Sequence, residues 1–209
     1  MYRPPAYAVD DREQLHAAIR ARRFATIAGL VSGTVQFAYA PVVVDPGTGA
    51  HGTLRFHLAN SNPLAALDGG EVRLSFLGPD AYISPDWYVT PSLVPTWNYI
   101  AVEASGRLRM LDNENVRRLL VDLSAAEEDR LAPKPRWTLD KLSEERLVVL
   151  TSAIRGFEVT LETLQGKFKL SQDKRENDAK GAIAGLEAHG DPASVAVAAE
   201  MRRAANVRR

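Results

Sequence analysis

The chain of 209 residues is 45% hydrophobic and 25% charged, with 26 basic and 26 acidic side chains and no cysteine. Such a composition is globular and excludes disordered, collagen-like and disulfide-scaffold chains. The missing thiols exclude cysteine nucleophiles, cysteine-ligated zinc, iron–sulfur clusters and disulfides. No apolar run approaches the roughly 20 residues of a bilayer span, and Met1-Tyr2-Arg3-Pro4-Pro5 lacks the apolar core of a secretory signal. The expected setting is therefore the cytoplasm, with no membrane partner. The zero net charge is a cancellation: residues 1–165 carry 17 basic and 20 acidic side chains, residues 166–209 carry 9 and 6. The basic excess ends in Arg202, Arg203, Arg208 and Arg209. A solvated helix end favoured by the helix dipole accounts for it, and an anion or nucleic-acid contact is the alternative.

In chain order, Asp10 and Glu13 have capping-box-like spacing, and Leu15, Ala18 and Ile19 then mark the apolar stripe of a helix to about Arg23. Phe24–Leu30 reads as a strand, Ser32-Gly33 as a turn, and Val35–Val44 as a second strand rich in β-branched and aromatic residues. Leu54–Leu58 and Val72–Leu77 follow as strands, then Tyr82–Trp87 as a short extended piece before a loop at Pro91 and Pro95. Trp97–Leu111 is a long strand with Gly106 at a possible bulge position. Val116, Leu119, Leu120 and Leu123 set a helix over Glu114–Asp129, which Pro133 and Pro135 break, and Leu142–Ser152 is again helical. Gly156–Leu164 returns to strand alternation, Gln165-Gly166 reads as a turn, and Lys167–Leu170 as the extension of a hairpin. Asn177–Ala188 is a helix ended by Gly190; Asp191-Pro192 opens the last helix, to about Ala205. Strands that follow one another without helical crossovers predict an antiparallel or mixed sheet, most simply a barrel.

Gly47-Thr48-Gly49-Ala50-His51-Gly52 has the letters of a dinucleotide fingerprint, but the strand-like Thr53-Leu54-Arg55-Phe56 follows it where a helix is needed to hold a pyrophosphate. It reads as a hairpin loop. His16, His51, His57 and His189 show no metal-ligand spacing, and no nucleophile elbow is present. Glu127-Glu128-Asp129 and Glu144-Glu145 read as solvated helix faces.

Three stretches carry more chemistry. His57-Leu58-Ala59-Asn60-Ser61-Asn62-Pro63 offers hydroxyl, amide and backbone donors suited to a phosphate or a ribityl chain; a turn followed by a helix capped by Asn62 is its structural counterpart. Residues 78–99 hold two of the three Trp and three of the six Tyr, interleaved with Pro and Asn. Rings with polar tips suit a planar ligand or a partner subunit, or a core with buried hydroxyls. In Gly166-Lys167-Phe168-Lys169-Leu170-Ser171-Gln172, alternation puts both lysines on one face, fit to hold a phosphate or to guard a strand edge.

Taken together and in this order, these stretches resemble the PaiB family of FMN-binding negative transcriptional regulators. The residues that carry the likeness are Met1 to Tyr7, Phe24-Ala25-Thr26, Pro79 to Tyr88, Val94-Pro95-Thr96-Trp97-Asn98-Tyr99, Gly156-Phe157-Glu158 and Lys167 to Gln172, spread over roughly residues 1–190. The resemblance implies an α+β fold, an FMN-binding split β-barrel, antiparallel and Greek-key-like, with inserted and C-terminal helices. It covers 1–209 as a single domain, with the C-terminal helical extension starting near 174. It also implies a homodimer with flavin at the subunit interface, and repression as the role. On this basis Lys167, Lys169, Ser171 and Gln172 are candidates for polar contacts to the flavin, His57 stays as a matched family position, and Asn60, Ser61 and Asn62 would hold the phosphate end. Tyr82, Trp87, Trp97 and Asn98 would line the ring or the dimer seam.

The chain departs from the family pattern in three places. Ala38-Tyr39-Ala40-Pro41 replaces Thr-His-Leu-Pro, Asp80 replaces a histidine before Ala-Tyr, and Phe56, Leu58 and Asn60 alter the run around His57. Two imidazoles and one cation are thereby lost, which weakens the expected hold on FMN, and Asp80 adds a carboxylate that opposes a phosphate nearby. Beside the PaiB-type regulator stand two alternatives: a flavin-dependent oxidoreductase, for which no catalytic residue is identifiable, and a cofactor-free dimeric interaction protein. Direct contact with DNA rests on the basic tail alone.

Overall fold

The computed structural model describes residues 1–206; Arg208 and Arg209 of the basic tail lie outside the described residues. In chain order the elements are β1 (Ala8–Val9), α1 (Arg12–Arg22), β2 (Phe24–Val31), β3 (Thr34–Pro41), β4 (Val43–Asp45), β5 (Thr53–Ala59), β6 (Glu71–Ile83), β7 (Thr96–Met110), α2 (Asn113–Glu128), α3 (Glu144–Ser152), β8 (Ile154–Lys169), α4 (Glu176–His189) and α5 (Pro192–Asn206). The class is α+β. The strands join in the order β3-β2-β6-β7-β8-β5-β4, with β1 added to β8. The pairs β2–β3, β2–β6, β4–β5, β5–β8 and β1–β8 all run antiparallel. The chain gathers into two compact units, to which β6, β7 and β8 each contribute residues.

The larger unit comprises His16–Phe76 and Glu103–Leu164. Its β2–β3 hairpin turns on Ser32 and Gly33, both with positive φ (49° and 79°), the two-residue turn whose twist matches the flanking strands. Ala25 and Ile27 face inward with Ala38 and Ala40, and all four are buried. β3 also packs beside β5, so the strand path returns on itself as a barrel. Phe56 and Phe157 sit in its core with ring centroids 6.0 Å apart. Gly106 on β7 is there for close approach: a Cβ would stand 2.3 Å from the Thr160 carbonyl oxygen. Helix α2, capped by Asp112 on the Asn115 N–H, buries Val116, Leu119 and Leu123 against Leu111. Residues 46–52 form the loop between β4 and β5, as expected from the strand that follows.

The smaller unit comprises Met1–Leu15, Leu77–Val102 and the C-terminal part from Gln165. Here α4 ends on Gly190 in the left-handed conformation (φ 77°). Asp191 caps α5 by accepting the N–H groups of Ala193 and Ser194 at 3.0 and 3.2 Å. The two helices pack through Ala182, Leu186, Val197, Ala198 and Met201, all buried.

Four local expectations are corrected. The cap of α1 is Asp11, which accepts the Gln14 N–H at 2.6 Å; Asp10 instead pairs with Arg3. The second strand does not run unbroken to Val44. The Val42 N–H turns to the Arg23 carbonyl at 2.7 Å, and β4 pairs with β5. The strand expected to end at Leu77 continues through Gly78 and Pro79 to Ile83; a Cβ at Gly78 would meet the Ile100 side chain at 2.9 Å. Gln165-Gly166 is not a turn either. β8 passes through it, Gly166 pairs with Val9, and a Cβ there would lie 2.4 Å from Leu15. At both glycines the missing side chain serves strand packing, which a single sequence does not distinguish from a turn.

Candidate functional site

The expected site residues fall into the two units separately. His57, Asn60, Ser61 and Asn62 belong to the larger one. His57 stands half-buried on β5, its Nδ1 buried with no hydrogen-bond partner among the described residues. Burial lowers its pKa from the ordinary 6.5, so the imidazole is neutral. Asn60 and Asn62 are engaged by the chain itself. The Asn60 amide donates to the Ser152 carbonyl at 2.6 Å. The Asn62 side-chain oxygen accepts the Leu64 N–H at 3.0 Å, capping a short 3₁₀ turn over Pro63–Ala66. The capped-turn alternative is thus what forms here, and Ser61 is left exposed.

The remaining candidates lie in the smaller unit, where strand alternation does bring them together. Phe168 and Leu170 are buried, and Lys167 and Lys169 take the other face. The Lys169 ammonium donates to the Thr96 hydroxyl and, at 2.9 Å, to the Trp97 carbonyl. Burial is the main cause of its lowered pKa, with Lys167 and Lys174 acting in the same direction and Asp173 opposing. The Lys167 ammonium lies 5.3 Å from the ring centres of both Tyr2 and Tyr99, a cation–π sandwich. Asn98 is 0% exposed. Its amide donates to Ser171 Oγ at 2.9 Å and to Met201 Sδ at 3.3 Å, while its Oδ1 is buried without a partner among the described residues. Ser171 holds a left-handed backbone (φ 63°). Gln172 folds back, accepting the Leu170 N–H at 2.6 Å and donating to the Phe168 carbonyl, which fixes the end of β8.

A cavity of about 150 Å³ joins several of these groups, lined by Tyr7, Thr96, Asn98, Lys169, Asp173 and Lys174 among others. Lys174 pairs with Asp173 at 2.6 Å. Burial opposes ionisation of Asp173, but the hydrogen bond and charge of Lys174 prevail and hold its pKa down. Burial, reinforced by Asp173, raises the Tyr7 phenol to about 12. Lysines outnumber carboxylates in the lining of this cavity, which Asn98 also lines.

The aromatic run folds differently. Tyr82 and Trp97 are substantially exposed and meet edge to face, with centroids 6.2 Å apart and planes at 72°. Trp87 is wedged against α4, where Gly181 and Gly185 leave room for it. Together they line a cleft of about 440 Å³ with Asp80, Ser84, His189, Asp191 and Ser194. The loop before β7 is tied down by Asp178 of α4, which accepts the Val89 and Thr90 N–H groups.

Several features escape a sequence reading. Tyr7 and Asp173 come from opposite ends of the chain, and no local pattern links them. In the larger unit, Phe24, Leu30, Val35, Phe37 and Tyr39 stand on the outward face of β2 and β3, all more than half exposed. The register sets Leu30 opposite Val35 and Phe24 opposite Pro41. A signal was available: in β3 the small Ala38 and Ala40 alternate with the large Val35, Phe37 and Tyr39, so the bulky set faces out. A further cleft, about 510 Å³, is lined by Asp68, Arg107, Arg109, Glu158 and Glu162 among others, and its charges pair internally, Arg109 with Glu158 and Arg107 with Glu162. Among the described residues no group of three or more His, Asp or Glu side chains forms a metal site, and no helix is long and apolar enough to cross a membrane. In the tail, Arg202 pairs with Glu187 and Arg203 with Glu200.

Comparison with known proteins bears on these features. The family model described as "Putative FMN-binding domain" matches residues 1–163. Protease synthase and sporulation protein PAI 2 of Bacillus subtilis is 31% identical over 197 residues, covering 92% of each chain. The FAD and heme binding protein from Mycobacterium smegmatis superposes with a TM-score of 0.58 at 17% identity, over 78% of this chain and 73% of that one. The flavocytochrome Anf3 from Azotobacter vinelandii gives a TM-score of 0.56 at 16% identity, over 80% and 72%. The two structures bear on the fold alone, and that fold is the split barrel.

Proposed function

The chain belongs to the family of FMN-binding domains, a flavin-binding split barrel with FMN as cofactor, and from that premise we propose that it works as a homodimeric, cytoplasmic negative transcriptional regulator of the PaiB type. The observation that carries the flavin assignment is one cavity lined both by Asn98, whose Oδ1 has no partner among the described residues, and by the desolvated Lys169. The isoalloxazine ring has an imide edge, an N–H between two carbonyl oxygens. An unmatched acceptor and a cation lining one cavity complement that edge, so Asn98 would accept the N–H and Lys169 would donate to a carbonyl oxygen. Lys174 adds a second donor, and the Lys167 ammonium on the same strand face adds positive charge. When bound, flavin supplies the electron-transfer chemistry that a chain without cysteine lacks. The homodimer is supported by the outward apolar face of β2 and β3, and the regulatory role by the 31% identical sporulation protein.

The test is direct. The purified protein should carry a flavin visible spectrum or quench the fluorescence of added FMN, sediment as a dimer, and lose flavin when Lys169 is changed to Met. A colourless chain that leaves FMN fluorescence untouched sinks the cofactor role. For regulation, deleting the gene should raise a set of transcripts that the wild-type gene restores; an unchanged transcriptome refutes that part.

A further inference from the structure

The aromatic cleft has a chemistry unlike that of the lysine cavity. Its walls are the rings of Tyr82, Trp87 and Trp97, and the charged groups lining it are Asp80, Asp191 and His189. His189 Nε2 lies 3.5 Å from Asp191 Oδ2, and the other Asp191 oxygen caps α5. Both Asp191 oxygens are therefore engaged, one by the histidine ring and one by the helix end. The Asp80 carboxylate has no hydrogen-bond or ion-pair partner among the described residues, so its charge is open to a ligand. Among the described residues no lysine or arginine lines the cleft.

The rings are held in place. Trp87 is fixed because a Cβ at Gly185 would strike its indole at 2.2 Å and one at Gly181 its carbonyl oxygen at 2.0 Å; only glycine at both positions allows this approach. Trp97 and Tyr82 brace each other at 72°. Three preset rings with one unpartnered carboxylate make a negative, apolar-walled corner. Ring faces and a carboxylate both attract a cation, and the apolar walls favour one clothed in alkyl groups over a hydrated metal ion. The same charge repels the phosphorylated end of a flavin.

We propose that this cleft binds an alkylated ammonium ligand, with Asp80 neutralising its charge and Trp97, Tyr82 and Trp87 enclosing its methyl or methylene groups. Its volume of about 440 Å³ falls in the range of small-molecule sites, about 300–1,000 Å³. The proposal gives Tyr82, Trp87 and Trp97 a ligand other than the flavin ring, and leaves the groups that line the lysine cavity, Asn98, Lys169 and Lys174, to the cofactor.

Choline is a suitable probe, with 3,3-dimethyl-1-butanol as its neutral isostere of the same shape. Titration of the full chain, followed by tryptophan fluorescence and calorimetry, should give saturable choline binding at least tenfold tighter than that of the isostere. Asp80→Asn should weaken choline tenfold or more while leaving the isostere unchanged. Trp97→Leu, at an exposed position, should weaken both, and it serves where Asp80→Asn perturbs the fold as judged by circular dichroism. Equal affinity for choline and isostere, an Asp80→Asn variant that binds choline normally, or no saturation with choline each overturns the proposal.

Discussion

The carboxylate of Asp178 holds Thr90 twice, taking its N–H at 2.8 Å and its hydroxyl at 2.7 Å. The Val89 N–H adds a third bond at 2.8 Å. One buried side chain on α4 thus fixes the loop that leads from the aromatic run into β7. Hydrogen bonds from Thr90, first through its backbone, hold the Asp178 pKa below the ordinary 3.8. A carboxyl depressed in the folded state stabilises above its unfolded pKa and loses that contribution as pH falls through the folded value. Melting temperatures measured from pH 7 down to pH 2 should therefore show a gap between wild type and Asp178→Asn that is widest at neutral pH and closes below about pH 4. Asp178→Ala should melt lower still, since it also leaves three donors unanswered. A gap that stays constant with pH would mean the charge of Asp178 is not what holds the loop.

Replacing glycine inside a helix by alanine usually stabilises, by up to about 1 kcal/mol. At Gly181 and Gly185 the sign should reverse. The added Cβ would stand 2.0 Å from the Trp87 carbonyl oxygen and 2.2 Å from its indole, and overpacking of this kind costs roughly 1–3 kcal/mol. Denaturant unfolding should show Gly185→Ala destabilised, by up to about 2 kcal/mol once the full helix gain is set against the overpacking, with a shift in tryptophan emission as Trp87 moves. Stabilisation of either variant would contradict the packing described for Trp87.

The same two glycines show where a sequence reading ends. The helix over residues 177–188 was legible from its spacing and its Gly190 stop, but nothing local says which side chain fills the notch that Gly181 and Gly185 leave. Strand existence was legible for β2, β3, β5 and β7, because hydrophobic alternation is a local property. Strand ends at Gly78 and Gly166 were not, because a glycine admitted for a neighbour's side chain looks like a glycine admitted for a turn. At the site, the lysine face of residues 167–170 followed from a period of two. The role of Asn62 was open between ligand and cap, since the same amide oxygen serves either. Contacts across the chain, such as Tyr7 with Asp173, leave no trace in a single sequence at all.

His57 gives a second pH signature, at milder acidity. Burial lowers its pKa, so the folded chain keeps it neutral while the unfolded chain protonates near the ordinary 6.5. Its contribution is intact above that value and is lost as pH falls below it. The slope lies below the roughly 1.4 kcal/mol per pH unit of a whole proton, because the ring is half-buried and partly screened by solvent. Chemical denaturation between pH 7.5 and pH 5 should show wild type losing stability faster than His57→Gln. Parallel curves would place the imidazole in a setting no different from that of the unfolded chain. If flavin meets the unmatched Nδ1, saturating FMN should steepen the difference, since the neutral ring is then the bound form.

The outward face of β2 and β3 sets the last expectation. Phe37 is 58% exposed and Tyr39 64%, flanked on the same face by Val35, Leu30 and Phe24. Contiguous apolar surface of this kind on a sheet marks an interaction site, and a twofold dimer would lay the same patch of each copy against the other. Phe37 is not part of the core, so a charge there leaves the folded chain intact. Phe37→Asp should then shift sedimentation from dimer to monomer with an unchanged circular dichroism spectrum. Because charges brought face to face at such an interface repel, the dissociation constant should rise at least tenfold. Phe37→Leu, which keeps the apolar surface, should remain dimeric. If Phe37→Asp still sediments as a dimer, the two copies meet through another surface. If wild type is itself a monomer at micromolar concentration, this face serves a different partner and the homodimer is refuted.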